Sequence, residues 1–377
     1  MTTLSNTQTS NSSANPATIR LAAIGMGERA THIIKLLSKA KEQVELAVLV
    51  DPNTQRAECC KEDKEIRTAQ NFVHYESLDQ MLQAGPEIDG VVVGTRCNLH
   101  TPIALQIAKL NVPIFLEKPV CISWQQYELL EAAFADCYDQ VVISFPLRIT
   151  PLLLAVKEYI TNGRLGTINQ IQAVNNVAYG NVYVDSWYRD YDLTGGLWLQ
   201  KATHDFDYIH FLADAQPLCI TAMHSQQVWK EPVLHQDAGS AIVQYASGIH
   251  ANYTQNFLTR KDAGKRGATI TGEDGSITFD WYTETFTFHS HIDNRIENVS
   301  LKSDSGHGGG DGKLVANFID VILKRDVSKT SLREGLISAG TCLAARDAAN
   351  LNKVMAIPVP FSNEKPQPLK QHIEPVE

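Results

Sequence analysis

One stretch constrains the fold more than any other: the nearly all-apolar run Ile19–Ile24 passes directly into Gly25-Met26-Gly27-Glu28-Arg29-Ala30. A short apolar run rich in β-branched residues reads as a strand buried on both faces, and Gly-x-Gly-x-x-Ala at its end is a turn shaped for a dinucleotide. Gly25 permits the tight turn, and Gly27, next to Met26, lets backbone N–H groups approach a pyrophosphate. Ala30 is small enough for the next helix to lie close on the sheet. That helix would direct its positive end at the phosphates.

The same rhythm continues to about Ser144. Apolar strand candidates at Val44–Val50, Gly90–Gly94, Val112–Leu116 and Gln140–Ser144 alternate with helix candidates at Ala30–Ala40, Leu78–Ala84, Pro102–Leu110 and Trp124–Ala135. Strand-helix alternation of this kind predicts a doubly wound parallel sheet, an α/β Rossmann domain with its binding rim at the strand ends. Beyond it the pattern changes to longer alternating stretches, near Ile168–Val177, Cys219–Gln227, Ala238–Tyr245, Gly248–Asn256, Ala268–Gly272, Ser276–Asp280 and Thr283–His289. These predict an open, mainly antiparallel sheet in an α+β domain, with helices at Leu152–Thr161, Gly196–Leu212, Leu314–Leu323 and Leu332–Leu351. The Ala-rich last helix is expected near the domain junction. The expected division is a disordered tail at 1–17, a nucleotide-binding domain at 18–145 and a substrate or oligomerisation domain at 146–377.

A chain of 377 residues is long enough for these two cores. No apolar run is long enough to cross a membrane, and the Ser- and Thr-rich start is no secretory signal. Acidic residues outnumber basic ones by 42 to 33, a net charge of −9 that repels nucleic acid. Seven scattered cysteines suit neither a disulfide framework nor zinc, so reduced thiols in the cytoplasm are expected. His289 and His291 share a strand face without a third ligand, so no metal is expected.

Asp51 closes the second strand, where a carboxylate can accept hydrogen bonds from the adenosine ribose. It would repel a 2′-phosphate, which favours NAD. Arg56 nearby keeps NADP open.

The stretches Ile88–Thr95, Asn98-Leu99-His100 and Phe115-Leu116-Glu117-Lys118-Pro119 resemble the Gfo/Idh/MocA family of sugar and inositol oxidoreductases. The resemblance continues through Phe145-Pro146-Leu147-Arg148, Gly163-Arg164-Leu165-Gly166, Gly195-Gly196 followed by His204, and Arg333-Glu334-Gly335-Leu336. It implies a Rossmann domain and an α+β domain with the active site in the cleft between them, in a homodimer or homotetramer. It puts Thr95, Asn98, His100 and Glu117 at the cofactor, Lys118 beside the nicotinamide and the reacting hydroxyl, and His204 near the substrate. An ammonium at Lys118 would stabilise a developing alkoxide.

In the family pattern an aspartate stands four residues before the histidine, but this chain has Gln200. Glutamine can bind a hydroxyl but cannot take its proton, which turns attention to Lys201. Helical spacing puts Gln200, His204 and Asp207 on one face, with Lys201 at its edge and Asp205 further round. Lys201 and His204 are therefore expected to meet substrate with Lys118, and His210 to be structural. Arg148, Trp187, Arg189, Gln200 and Asp207 are expected around a sugar-like substrate. The loop Gly306-His307-Gly308-Gly309-Gly310-Asp311 resembles loops that some branches bring near the substrate, although a glycine run also serves as a plain connection.

The leading expectation is hydride transfer between NAD and a hydroxyl carbon of a sugar, sugar derivative or cyclic polyol. One alternative is a redox-neutral NAD-dependent glycosidase or lyase that passes through a transient ketone. A second is a non-catalytic dinucleotide-binding regulator, since fold alone establishes no activity.

Overall fold

A computed structural model describes residues 18–178, 182–229, 235–302 and 306–362; the expected tail, 1–17, lies outside them. The first sheet comprises β1 (Ile19–Ile24), β2 (Val44–Val50), β3 (Thr68–Tyr75), β4 (Gly90–Val93), β5 (Ile114–Leu116) and β6 (Val141–Ile143). Its order is β3-β2-β1-β4-β5-β6, and every neighbouring pair is parallel. The order reverses between β1 and β4, which opens a crevice beyond the strand ends. Register aligns those ends: Ile24 pairs with Val50 and Val93, Val93 with Leu116, and Leu116 with Ile143. The residues that follow, Gly25, Asp51, Gly94, Glu117 and Ser144, consequently emerge together as one rim.

β3 escaped the sequence reading. It is the edge strand, its sequence Thr-Ala-Gln-Asn-Phe-Val-His-Tyr is half polar, and only Ala69 is fully buried. The helix Gln55–Glu62 was missed for the same reason, since it buries only Ala57 and Cys60. The other strands were legible because both their faces are covered. On one face lies helix Gly310–Ile322, returning from far along the chain to stack Phe318 edge-on against Phe115 with ring centroids 5.7 Å apart. Gly90 makes room for it: a Cβ there would meet Ile322 Cδ1 at 2.8 Å.

The second sheet comprises β7 (Ile168–Ala178), β8 (Pro217–Ser225), β9 (Ala238–Tyr245), β10 (His250–Thr259), β11 (Lys265–Gly272), β12 (Gly275–Asp280), β13 (Thr285–Ser290), β14 (Ile296–Ser300) and β15 (Met355–Ala356). Its order is β14-β13-β12-β11-β7-β10-β9-β8-β15. All neighbours are antiparallel except β7 and β10, which run parallel at its centre. In-out alternation along β9, and along β8 apart from a break at Cys219 and Ile220 beside a register shift, marks a sheet covered on one face only.

Helix Leu332–Leu351 joins the halves. It packs under β8, against helix Thr203–Ala213 and against β6, and buries Leu332, Leu336 and Leu343 completely. Truncating any of these leucines to alanine would cost about 2–5 kcal/mol. Its small residues let it sit close: a Cβ on Gly335 would meet Val120 Cγ1 at 2.8 Å. Ser338 Oγ donates to Thr203 O at 2.6 Å, which fixes the helix carrying His204 on this joining helix. No helix among the described residues is long and apolar enough to cross a membrane.

Candidate active site

A cavity of about 500 Å³ runs from the glycine turn to the head of helix Thr203–Ala213. At its first end Gly25 adopts φ +78°, and a Cβ there would meet Thr95 Cγ2 at 2.7 Å. Gly94 faces Ala30 so closely that its Cβ would lie 2.5 Å from that of Ala30. Gly27 caps helix Glu28–Ser38 without any side-chain hydrogen bond, so its first-turn N–H groups face the cavity uncapped by a side chain. A Cβ on Gly27 would meet protein only at Gly94 O, 3.8 Å away, and would stand in the cavity instead. This cradle fits a pyrophosphate.

Asp51 does more than the sequence reading assigned. Its Oδ2 accepts from Met26 N–H and its Oδ1 from Asn53 N–H, each at 2.9 Å, so the carboxylate braces the glycine turn. Arg56 donates to Met26 O and lines the same end.

Two expected cofactor residues are placed differently. His100 lines the cavity but is buried, its ring nitrogens 2.7 Å from Pro119 O and 3.2 Å from Thr95 O, and it ties the two loops together. Burial lowers its pKa. Asn98 is absent from the cavity wall, which Thr95 and Cys97 form; its backbone oxygen accepts from Gln126 Nε2 at 3.1 Å. Its neighbours in sequence are set by a tight turn at Cys97–Leu99, which motif spacing alone does not reveal.

Glu117 lines the cavity but accepts from Arg29 Nε at 3.0 Å. Arg29 also binds Ser144 Oγ at 3.1 Å and both oxygens of Asp311, and His307 Nδ1 lies 2.8 Å from Asp311 Oδ2. The glycine run is therefore more than a connection. His307 sits at φ +49° between the cavity and Asp311, and Gly308 and Gly309 follow in the same left-handed region, a path few other residues allow. His307 and Asp311 entered the sequence reading only as part of a loop weighed near the substrate, and Arg29 not at all, because nothing local in the sequence links positions 29 and 311.

At the far end, Lys118 follows β5, with a cis peptide bond to Pro119. Its Nζ donates to Gln200 O at 2.7 Å. That carbonyl belongs to a π-helical turn, Trp198–Ala202, at the head of helix Thr203–Ala213; such wide turns recur at functional sites. Lys201 in this turn places Nζ 4.8 Å from the centre of the Tyr183 ring. Burial, reinforced by the charge of Lys201, lowers Lys118 to about 8. Burial and Arg266 likewise lower Lys201 to about 8. Desolvation, and then the surrounding cations, hold the half-buried His204 well below its usual range, neutral at pH 7. Its Nδ1 has no hydrogen-bond partner among the described residues.

The expected face of Gln200, His204 and Asp207 is divided in the structure. Lys201 and His204 reach the cavity together. Asp207 turns away to a two-point ion pair with Arg148, at 2.6 and 3.2 Å, and neither lines the cavity. Burial lifts Asp207 to about 6 against the opposing pull of Arg148. A step of three residues falls about 60° short of a full α-turn, and on that offset side the Asp207 carboxylate meets Arg148 rather than the cavity. Gln200 lines the cavity but commits its amide N–H to Tyr188 O. Trp187 also lines it, stacked on Tyr188 with ring centroids 4.1 Å apart, whereas Arg189 is exposed beside a neighbouring small pocket. His210 is structural as expected, its ring nitrogens on Tyr245 Oη at 2.7 Å and Thr341 Oγ1 at 3.0 Å. Among the described residues, no three His, Cys, Asp or Glu side chains are grouped to hold a metal.

Residues 19–144 match the family model described as "Oxidoreductase family, NAD-binding Rossmann fold", and 157–357 match "Oxidoreductase family, C-terminal alpha/beta domain". The inositol 2-dehydrogenase of Rhizobium meliloti (strain 1021) is 27% identical over 276 residues, 67% of this chain and 82% of that protein. Oxidoreductase P35 of Formosa agariphila is 26% identical over 209 residues, 53% of this chain and 62% of that one. The matched stretch spans only 46% of another curated relative, from Bacillus subtilis (strain 168). A levoglucosan dehydrogenase solved with NADH and levoglucosan shares the fold, with TM-score 0.80 at 18% identity, over 91% of this chain and 100% of that one. The two family matches account for both halves of the molecule, and the chain belongs to the Gfo/Idh/MocA oxidoreductase family, its first domain an NAD-binding Rossmann domain.

Proposed function

We propose that this protein transfers a hydride between NAD and a hydroxyl-bearing carbon of a sugar, sugar derivative or cyclic polyol. The observation that carries the reading is one continuous cavity, with a dinucleotide cradle at Gly27 and, at its other end, Lys118, Lys201 and a neutral His204. The bound nicotinamide would supply the two-electron acceptor. Lys118, with a pKa near 8, exchanges a proton with a substrate hydroxyl at neutral pH, and its bond to Gln200 O fixes where the amine stands. Trp187 and Tyr188 offer flat faces on which a sugar ring packs while they keep water out. The Asp51 carboxylate favours NAD over NADP. The inositol 2-dehydrogenase among the relatives supports a ring hydroxyl as the reacting group.

The test is a panel of sugars and cyclitols with NAD, read as NADH formation, alongside Lys118→Ala. Loss of about 10²–10⁴-fold in kcat with dinucleotide binding retained is expected. Near-normal turnover in Lys118→Ala would remove the amine from the chemistry.

A further inference from the structure

The reaction end of the cavity carries more positive charge than the chain neutralises. Lys118 and Lys201 line it, and neither makes a salt bridge to a carboxylate among the described residues: Lys118 Nζ holds Gln200 O at 2.7 Å, and Lys201 Nζ faces the Tyr183 ring at 4.8 Å. Arg266 adds a third cation behind them, close enough to disfavour the charged form of both lysines. The buried carboxylate on this side, Asp205, is already shared among Arg266 Nη2 at 2.8 Å, Asn175 Nδ2 at 2.7 Å and Tyr253 Oη at 2.8 Å. Glu117 is engaged by Arg29 at 3.0 Å, His204 is neutral, and Gln200 is uncharged with its amide committed to Tyr188.

Lys118 and Lys201 are only half-buried, but an ammonium partly withdrawn from water without a counter-charge is still costly, and such groups are normally paired. The cofactor's pyrophosphate does not fill this need, because its cradle is built from β1 and helix Glu28–Ser38 at the opposite end. The missing anion is then a group on the substrate. A flexible ammonium, without a free guanidinium fork beside it, suits a carboxylate monoanion better than the bidentate recognition a phosphate dianion favours.

Resting on the dehydrogenase reading above, we propose that the substrate is an acidic sugar, a ring polyol bearing a carboxylate, with Lys201 binding the carboxylate while Lys118 meets the reacting hydroxyl. Lys201 is thus the specificity-determining residue. A site built around a charged partner rejects the analogue lacking it far more strongly than a hydrophobic pocket rejects a lost methylene.

Matched pairs test this with the full-length protein: glucose and glucuronate, galactose and galacturonate, mannose and mannuronate. Each is followed by NADH formation in the presence of NAD and by calorimetric binding to the protein saturated with NADH. At least one uronate should exceed its neutral partner by about 100-fold in kcat/KM or affinity. Lys201→Met should reduce that ratio to within about tenfold, and Lys201→Arg should restore part of it. NADH affinity in each variant reports that the fold is kept. If neutral sugars are oxidised as well as or better than their uronates, or if the ratio survives in Lys201→Met, the acidic-substrate assignment falls and the dehydrogenase reading stands. If a uronate binds through Lys201 but no member of the panel yields NADH, the acidic ligand stands and the hydride-transfer reading falls. Absence of any preferential uronate binding overturns the acidic assignment by itself.

Discussion

Replacing Arg29 with glutamine should destabilise the protein in a way that depends on pH. Arg29 holds Asp311 by two contacts, Glu117 at 3.0 Å and Ser144 at 3.1 Å, so one guanidinium ties the glycine turn to the ends of β5 and β6 and to the first turn of helix Gly310–Ile322. The Asp311 side chain is 2% exposed, and in Arg29→Gln it would keep only His307, at 2.8 Å, and His32, at 3.2 Å. Stripping one partner from a buried pair costs about 3–5 kcal/mol. Because the Arg29 side chain is itself 28% exposed, solvent screening brings the expected loss down to about 2–3 kcal/mol. Burial pushes the Asp311 carboxyl up, but its bonds to Arg29 and His307 outweigh that and hold it well below the usual carboxylate range. A folded-state pKa below the unfolded value, about 3.9, contributes stability that is complete above that value and is lost as pH falls through the folded one. Without Arg29 the carboxyl protonates more readily, so the deficit should be largest at pH 7 and shrink as pH falls toward 3. Urea unfolding followed by circular dichroism, on wild type, Arg29→Gln, Asp311→Asn and the double variant, measures this. Asp311→Asn added to Arg29→Gln should recover part of the loss, with a coupling of about 2 kcal/mol at pH 7. A deficit within about 0.5 kcal/mol of zero at pH 7, or one equally large at acid pH, would refute the reasoning.

Lys118→Met should separate stability from activity: it removes a lysine held at about 8 and so should stabilise the protein at pH 7 by on the order of 1–2 kcal/mol while abolishing turnover. The sign follows from a lowered folded pKa, which makes wild-type stability rise between about pH 8 and 10; a melting series across that range that is flat in wild type would contradict it. Substrate oxidation by wild type should rise with pH and level off above about 8 as Lys118 loses its proton, and sugar reduction should show the opposite trend. Gly27→Val should fold normally, since its Cβ meets only Gly94 O at 3.8 Å, yet weaken NAD binding by about 100-fold or more, as read by calorimetry. Unchanged NAD affinity would place the pyrophosphate elsewhere.

The strands β1, β2, β4, β5 and β6 were legible because burial on both faces demands an unbroken apolar run, a property the residues display before any folding. β3 was not, because an edge strand is specified by its neighbour's hydrogen bonds and can be half polar. The glycine turn was legible for a local reason too: φ +78° at Gly25 and the narrow space beside Gly94 restrict which residues can stand there. Lys118, Lys201 and His204, named from the sequence through motifs and, for Lys201, its neighbours, line one cavity together. What each charged group binds was decided only in three dimensions. His100 faces two carbonyl oxygens, Asp207 turns to Arg148, and Gln200 holds Tyr188, none of which helical spacing can tell. Arg29 meets Asp311 across 282 positions of chain. Sequence therefore determined the two domains, the cofactor turn and the identity of the lysines. Tertiary structure determined which charges are neutralised within the protein, because ion pairing depends on distance in space rather than along the chain, and it left the ammonium groups at Lys118 and Lys201 facing the cavity.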